Sequence, residues 1–278
     1  MTPAERFAKY DVPVPRYTSY PTVPQWHRAP STDDWLGSLN RAAARPDAAL
    51  AVYVHVPFCE SLCSFCGCNT VITRDHSREH AYVDLVLAEL SRYVSSAPAV
   101  AAQPFRQLHL GGGTPTFLSA LALARLADGL CELLSPDSGT FEGSIEVDPR
   151  VTTATQLATL HDRGFRRVSM SVQDISPDVQ HLVNRTQPLE QTAGLCAAAR
   201  EIGYESVNLD LIYGLPGQSP SSMATLAREV IALAPDRLAV YGFARVPWIK
   251  PAQRRFRDDQ VPEGASKREL YDAIRAPL

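Results

Sequence analysis

Four of the six cysteines in this 278-residue chain lie within ten residues, in the stretch "HVPFCESLCSFCGCN". Cys59, Cys63 and Cys66 are spaced C-x3-C-x2-C, and Cys68 follows in a C-x-C pair. A short loop of thiolates can hold an iron–sulfur cluster. Three thiolates leave one iron of a four-iron cube without a protein ligand. The spacing therefore predicts a cluster with one iron that can bind another molecule and take part in a reaction, rather than a cluster that only transfers electrons.

Two other kinds of site compete with this interpretation. Structural zinc prefers tetrahedral Cys and His ligands, usually from two paired knuckles, and the chain has one compact loop without a second pair. A dithiol redox couple could form at Cys63 and Cys66, but the other two thiols of the loop would then have no use. Cys131 and Cys196 lie in apolar helical surroundings, where we expect them to pack as small hydrophobic side chains.

The composition favours a globular protein in a reducing compartment. The chain is 45% hydrophobic and 21% charged, which suits a protein with a substantial core. Its formal net charge of -3 gives no support for a nucleic-acid partner. We see no apolar signal segment and no apolar run near the roughly 18 residues that a membrane span needs. We therefore expect a cytoplasmic protein, in which clustered cysteines bind metal rather than form disulfides.

Six apolar strands that alternate with amphipathic helices would position the cysteines. The strands are predicted at 51–58, 107–113, 144–149, 166–174, 206–216 and 237–243. Helices are predicted at 78–94, 119–134, 153–162, 188–202 and 221–234, with a short helix starting at Ser176-Pro177 and a helix stop at Gly203. Repeated βα units of this kind form a parallel sheet.

Residues with functional chemistry repeatedly follow or end these strands, which is the rim where βα barrels assemble their active sites. They are Cys59, the segment "GGGT", Glu146, Asp148, Gln173, Asp210 and Ala244-Arg245. We predict an α/β fold, a partial (three-quarter) TIM-type barrel of six βα units. An open Rossmann-type sheet is the alternative, although "LHLGGGTPT" is not a G-x-G-x-x-G fingerprint.

The domain organisation is predicted from the change in composition near residue 48. Residues 1–48 are rich in Pro, Tyr and Thr around "RYTSYPTVPQW", which predicts an irregular N-terminal arm, and "TDDWLGSLNRAAA" predicts a short helix. The barrel occupies residues 49–278. The final segment, "PEGASKRELYDAIRAPL", begins one more helix that ends after few turns.

The motif "CESLCSFC" resembles the C-x3-C-x-aromatic-C signature of the radical S-adenosylmethionine superfamily, with Phe65 as the aromatic residue, and "GGGTPT" after the second strand adds to the likeness. Within that superfamily, essentially the whole chain resembles the oxygen-independent coproporphyrinogen III oxidases (coproporphyrinogen dehydrogenases). The resemblance rests on "RYTSYPT", "YVHVPFCESLCSFCGCN", "LHLGGGTPT", "IEVDPR", "RVSMSVQD", "NRTQ", "NLDLIYGLPGQ" and "GFARVPW".

Two alternatives are a heme-chaperone-like relative and a truncated, inactive remnant that binds the cofactors. Heme-chaperone-like members usually lack the C-x-C of Cys68 and the tyrosine-rich arm, which favours the oxidase. Members of the oxidase family carry a further C-terminal domain, and we expect this chain, which ends at Leu278, to lack it.

The resemblance implies a [4Fe-4S] cluster held by Cys59, Cys63 and Cys66, together with S-adenosylmethionine. Tyr53, Gly112 and Glu146 match positions that contact the S-adenosylmethionine bound to the cluster. A site for a second S-adenosylmethionine is implied at Phe65, Gly113, Thr114, Gln173, Arg185, Asp210 and Ala244. By the same resemblance Cys68 is a catalytic thiol near the substrate that does not ligate iron, and the alternative is a buried spare cysteine.

The implied reaction is the oxidative decarboxylation of two propionates of coproporphyrinogen III to vinyl groups, giving protoporphyrinogen IX in heme biosynthesis. A 5′-deoxyadenosyl radical would remove a hydrogen atom from each propionate. The implied partners are the porphyrinogen and an electron-donating reductase or flavodoxin-like protein, with the chain a monomer. Arg16, Arg185 and Arg245 are candidates to bind substrate carboxylates. We interpret His55 and His109 as hydrogen-bonded core histidines, with support of the cofactor-binding groups as the alternative.

Overall fold

The computed structural model describes residues 1–10, 20–22 and 25–278 of the chain. Most of the "RYTSYPT" motif, including the candidate Arg16, lies outside the described residues. Two helices, α1 (Pro3–Tyr10) and α2 (Thr32–Ala43), precede the sheet. The Ser31 side chain accepts the backbone N–H of Asp34 and the Asp34 side chain accepts that of Ser31, which fixes the start of α2. The helix predicted from "TDDWLGSLNRAAA" is therefore confirmed.

A parallel sheet of six strands forms the centre of the fold. Strand β1 (Leu50–Val56) is followed by two short strands, β2 (Phe58–Cys59) and β3 (Val71–Ile72), which pair with each other. The other sheet strands are β4 (Phe105–Gly112), β5 (Glu142–Val147), β6 (Phe165–Gln173), β7 (Ser206–Tyr213) and β8 (Arg237–Gly242). Their order, β1-β4-β5-β6-β7-β8, follows the chain without reversal, and every pair is parallel. This order is that of consecutive barrel units, whereas a Rossmann sheet reverses its order at a switch point.

The remaining helices lie between the strands, as the apolar periodicity predicts, except for the last one, which follows β8. They are α3 (Arg78–Ser96), α4 (Pro98–Ala101), α5 (Ala120–Leu133), α6 (Ala154–His161), α7 (Pro177–Leu182), α8 (Leu189–Ile202), α9 (Pro220–Ala232) and α10 (Gly264–Arg275). Gly203 ends α8 at φ 110°, a left-handed conformation that favours glycine. Ser176 precedes α7 as predicted, but its side chain makes no capping hydrogen bond. No helix in the described part of the chain has the length and apolar content for a membrane span.

The two faces of the sheet differ in polarity. On one face Val54, Leu110, Ile145, Met170 and Leu209 are 5% exposed or less and pack with the apolar sides of the helices. Cys196 and Cys131 also pack in or against this core, which confirms their prediction as small hydrophobic residues. Because side chains alternate along a strand, the neighbouring residues point to the other face, which is polar and only half-buried. That polar face and the rim above it position the candidate site.

Candidate active site at the carboxyl ends of the strands

Cys59 is the last residue of β2, and the other three clustered cysteines lie on the loop that joins β2 to β3. Pairing of Phe58 with Val71 and of Cys59 with Ile72 closes the base of this loop. Its far side is held by α7 and the residues that follow, since Ser64 N–H donates to Val183 O (2.9 Å) and Asn184 Nδ2 donates to Leu62 O (2.8 Å). The four clustered cysteines are all free thiols: Cys63 is buried, Cys59 and Cys66 are half-buried, and Cys68 is exposed. Cys68 is therefore not buried, contrary to the alternative considered for it, and its catalytic role stays a prediction.

Each of the three spaced thiols has a different hydrogen-bonding partner. The Thr114 hydroxyl lies 3.3 Å from Cys59 Sγ, and Cys68 N–H donates to Cys66 Sγ at 3.4 Å. Cys63 Sγ accepts from the guanidinium groups of Arg150 (3.6 Å) and Arg185 (3.5 Å). N–H and guanidinium donors favour sulfur in its thiolate form, which is the form that binds metal.

The hydrogen bonds and the burial of Cys59, Cys66 and Cys68 shift the pKa values of their thiols in different directions. Hydrogen bonds from the Cys68 side chain and backbone, helped by the charges of Lys250 and Arg185, lower the pKa of Cys66 to about 6. The same contact with Cys66 raises the pKa of Cys68, which remains a thiol. Burial raises the pKa of Cys59, although its hydrogen bond with Thr114 works in the opposite direction.

The glycine-rich segment after β4 packs against the chain that leads to Cys59. A Cβ on Gly112, whose φ is +118°, would lie 2.8 Å from Val56 O, and a Cβ on Gly113 would lie 2.7 Å from Pro57 O. Contacts that short do not occur, so both positions need glycine for the protein's own packing. Sequence reasoning expects glycine here so that the backbone can approach a ligand, and the structure adds this second reason.

A polar cluster lies on the half-buried face beside these glycines. Glu146 Oε2 accepts the Gly112 N–H (3.2 Å), and Glu146 Oε1 lies 3.3 Å from His109 Nε2. Burial alone would raise the pKa of Glu146, but the bonds from His109 and Gly112 outweigh it and lower the pKa. The Tyr53 ring stacks on His109, and its hydroxyl lies 2.9 Å from His55 Nδ1. The structure therefore brings together Tyr53, Gly112 and Glu146, the three residues predicted to contact one S-adenosylmethionine.

The prediction that His55 and His109 are core histidines is wrong. Both ring nitrogens of each are hydrogen-bonded, to Tyr53 and Asn69 in one case and to Ser144 and Glu146 in the other. Both side chains, however, lie on the polar face rather than in the apolar core, and His109 is 37% exposed. They contact Tyr53 and Glu146, and the alternative considered for them, support of cofactor-binding groups, stays a prediction. A cavity of about 250 Å³ also opens on this face beside His109, lined by Ser144, Ser169, Asn208 and the arginines at 167 and 237.

The residues predicted for a second S-adenosylmethionine site come from the ends or middle of several strands. Thr114 and Gly113 follow β4, Gln173 ends β6 at φ 68°, and Asp210 lies within β7. Asp210 accepts from Ser169 Oγ and Asn208 Nδ2, while burial raises its pKa. Phe65 of the cysteine loop and Ala244 after β8 come together through Gln253, whose Nε2 donates to both carbonyls, at 3.1 and 3.2 Å.

The two described candidates for binding substrate carboxylates are engaged within the protein. Arg185 donates to Asp148 Oδ2 (3.1 Å) and Ser171 O (2.6 Å) and is almost fully buried. Arg245 pairs with Asp258 and donates to Phe256 O. The buried Nε atoms of both arginines have no hydrogen-bond partner among the described residues. The structure therefore lends no support to a free carboxylate-binding group at either position.

Sequence reasoning missed four polar residues that hold this site. Arg150, in the recognised motif "IEVDPR", contacts Cys63. Lys250 Nζ donates to Cys68 O (2.7 Å), Arg255 donates to Ser64 Oγ (3.0 Å), and Gln253 holds Phe65 as described above. The Asp-Pro-Arg order after a strand could have indicated Arg150. Nothing in the pattern of the chain indicates the other three, because they act on backbone and hydroxyl groups of a remote loop.

The donor set suits a thiolate-bound cluster. Among the described residues no group of three or more His, Cys, Asp or Glu side chains is arranged to hold a single metal ion. Three free thiols with N–H, hydroxyl and guanidinium groups as hydrogen-bonding partners offer an environment that stabilises several sulfur ligands carrying negative charge.

Comparison with known proteins defines the class. The model of the radical SAM superfamily matches residues 53–230, from β1 to α9. The chain belongs to this superfamily, and membership implies a [4Fe-4S] cluster and S-adenosylmethionine as cofactors.

The more similar relatives share one activity. The chain is 44% identical to the oxygen-independent coproporphyrinogen III oxidase of Pseudomonas aeruginosa, over 96% of this chain and 58% of the relative. It is 43% identical to that of Escherichia coli, over 94% of this chain and 56% of the relative. A solved coproporphyrinogen III oxidase from Escherichia coli, described as a radical SAM enzyme, superposes with a TM-score of 0.88 at 40% identity, covering 98% of this chain and 60% of that one. The likeness confirms the partial barrel, and the chain spans under two thirds of the length of each of these relatives.

Proposed function

We propose that the chain catalyses, as the barrel of an oxygen-independent coproporphyrinogen III oxidase, the oxidative decarboxylation of two propionates of coproporphyrinogen III to the vinyls of protoporphyrinogen IX. The observation that carries the proposal is the group of three free thiols, each with its own hydrogen-bonding partner, at the carboxyl ends of the strands. The 44% identity to a relative of that name supports the substrate. No feature of the described residues favours the heme-chaperone alternative.

In this proposal Cys59, Cys63 and Cys66 hold the cluster, which when bound supplies an electron to S-adenosylmethionine and so begins radical chemistry. Glu146 is ionised, because its pKa is lowered, and has the charge to hold an ammonium group. Tyr53 lies beside it with 55% of its surface exposed, so its ring can cover a ligand bound there.

Three further roles belong to the same proposal. Cys68 acts on the substrate and does not ligate iron, and its exposure next to Cys66 supports this role. Phe65, Gly113, Thr114, Gln173, Arg185, Asp210 and Ala244 form the site for a second S-adenosylmethionine, and the contacts of Phe65, Ala244, Thr114 and Arg185 on or with the cysteine-bearing segment support this assignment. The division into an arm at residues 1–48 and a barrel at 49–278, the electron-donating partner, the monomeric state and the cytoplasmic location are also proposed.

The test is an anaerobic assay of the reconstituted, reduced protein with S-adenosylmethionine and coproporphyrinogen III. We expect 5′-deoxyadenosine and protoporphyrinogen IX from the wild type and from Cys131→Ala, a matched loss of a half-buried thiol on α5. Cys63→Ala should form neither product. If 5′-deoxyadenosine forms without the tetrapyrrole product, the proposed substrate is wrong for this chain on its own. If neither forms although four irons are bound, the proposed activity is refuted.

A further inference from the structure

A buried group of three charges surrounds one thiol of the cysteine loop. Arg150 binds Asp148 through two nitrogens, with Nε 3.0 Å from Oδ1 and NH2 2.7 Å from Oδ2, and the same NH2 lies 3.6 Å from Cys63 Sγ. Arg185 NH1 lies 3.1 Å from Asp148 Oδ2 and 3.5 Å from Cys63 Sγ. The side chains of Arg150, Asp148 and Arg185 are only 18%, 10% and 6% exposed. Cys63 is thus the meeting point of two guanidinium groups that share one carboxylate.

The other two thiols have neutral hydrogen-bond partners. Cys59 is next to the Thr114 hydroxyl, and Cys66 accepts a backbone N–H. Hydrogen bonds from a charged donor are roughly twice as strong as neutral ones, and burial increases the effect of a charge because the surroundings are less polarisable than water. The three corners of a cluster on this loop would therefore differ, since of the three thiols Cys63 is the one in hydrogen-bonding contact with charged donors.

The position of Arg150 is fixed by its own chain. Asp148 and Arg150 follow β5 and are separated by one proline, and Asp148 Oδ1 also accepts the Arg150 backbone N–H at 3.0 Å. The carboxylate therefore holds both the guanidinium group and the backbone N–H of Arg150, and the NH2 group that binds Asp148 Oδ2 also contacts Cys63 Sγ. A surface arginine would be mobile and hydrated, whereas this one is held beside the sulfur.

We propose that Arg150 is a positioning residue that acts through Cys63, and that Arg150, Asp148 and Arg185 together raise the reduction potential of the cluster. The inference rests on the proposed function only in that Cys63 must be a cluster ligand. Two guanidinium groups and one carboxylate carry a net single positive charge. Reduction adds one negative charge to the cluster, so a net positive charge beside a sulfur ligand stabilises the reduced form more than the oxidised one.

Two variants that break the same ion pair test this sign. Arg150→Gln removes a positive charge and should lower the midpoint potential, while Asp148→Asn removes the negative charge and should raise it. We expect each shift to be of the order of tenfold in the ratio of reduced to oxidised cluster at a fixed applied potential, which is about 59 mV for a one-electron couple. A merely structural role would disturb the loop in both variants and could not give shifts of opposite sign.

The measurement is a redox titration of the reconstituted protein, followed by the paramagnetic signal of the reduced cluster without substrate. Arg150→Lys keeps the charge but loses the planar fork, and its potential should lie between those of the wild type and Arg150→Gln. Arg163→Gln is the matched control, because it also removes an arginine paired with an aspartate, Asp128, in a pair whose side chains are more exposed (28% and 51%). It should leave the potential unchanged.

The outcomes separate the inference from the proposed function. If the wild type takes up no cluster, or Cys63→Ala takes up as much as the wild type, the ligand assignment fails and the inference with it. If the wild type holds the cluster but the potentials of Arg150→Gln and Asp148→Asn stay unchanged or move in the same direction, only the inference is overturned. If Arg150→Gln loses its cluster, Asp148→Asn must still raise the potential and Arg150→Lys must lower it, and any other result refutes the inference.

Discussion

Replacing Gly113 by alanine should move the strand that carries Cys59. A Cβ at this position would lie 2.7 Å from Pro57 O and 2.9 Å from Phe58 O. Both oxygens belong to the backbone, so no side-chain rotation can make room. Gly113 N–H also donates to Val56 O at 2.8 Å, which ties the two segments together at the point of the clash.

The size of the effect follows from these distances. Ordinary contact begins near 3.4 Å, so the Pro57 carbonyl must move by about 3.4 − 2.7 = 0.7 Å. Inserting a methyl group into a well-packed site usually costs about 1–3 kcal/mol, and we expect the free energy of unfolding to fall by that amount. The 3.3 Å contact between Thr114 and Cys59 lies next to the displaced strand, so the variant should also bind less iron.

Urea unfolding followed by circular dichroism, with iron and sulfide analysis after reconstitution, measures both effects. Gly194→Ala is the matched control, since it adds the same methyl group within α8, where nothing lies within 4 Å of the new Cβ. There the substitution should stabilise the fold by about 0.4–1 kcal/mol, because it restricts the unfolded chain. The reasoning is refuted if Gly113→Ala unfolds at the wild-type urea concentration and takes up the wild-type amount of iron.

Three further predictions concern residues away from the thiols. Gln253→Ala leaves the Phe65 and Ala244 carbonyls without their buried donor and should cost roughly 1–3 kcal/mol of unfolding free energy with a loss of iron content; wild-type values for both would contradict the proposed support of the loop. Leu126→Ala in the fully buried core should cost about 2–5 kcal/mol in urea unfolding without an effect specific to the cluster, and a cost below 1 kcal/mol would contradict it. Burial raises the pKa of Asp174 in the folded state, so the folded state binds more protons above pH about 3.9, and stability falls as pH rises through the folded pKa. Asp174→Asn should remove this dependence of the unfolding free energy on pH. If the unfolding free energies of the wild type and the variant change with pH in parallel from pH 4 upwards, the predicted effect of Asp174 is refuted.

The fold was predictable from the chain to a good approximation because apolar periodicity and helix caps act locally. Strand β4 was predicted at 107–113 and lies at Phe105–Gly112, and α5 was predicted at 119–134 and lies at Ala120–Leu133. The additional helix predicted near the end of the chain is α10, Gly264–Arg275. The pairing of β2 with β3 was not predicted, since two residues in each strand carry no periodicity and the pairing depends on backbone hydrogen bonds.

The polarity of the inner strand face explains the wrong interpretation of two histidines. An apolar residue on either side of His109 suggests a buried strand, and the helix-covered face is indeed buried. The opposite face carries Tyr53, Ser144, Glu146 and Asp210 instead, and His109 belongs to that set. The alternation of buried and half-buried residues along β5, and along β7 as far as Leu211, shows that each strand has a polar face. Only the register between strands shows that these polar residues form one surface.

The support of the cysteine loop is a property of the whole sheet rather than of the motif. Strands β1 and β8 are the two edges of the sheet, yet Lys250, Gln253 and Arg255, which follow β8, all bind the loop that follows β1 and β2. The rim is therefore bridged by side chains where the strands themselves do not pair. Arg150, which follows β5, and Arg185, in the segment after α7, contact Cys63 of the same loop. A change in the distances between the strands would therefore change the hydrogen bonds that the thiols accept. The spacing of the cysteines specifies which residues can ligate a cluster, but the electrostatic surroundings of each thiol depend on tertiary contacts that span up to 191 residues of sequence.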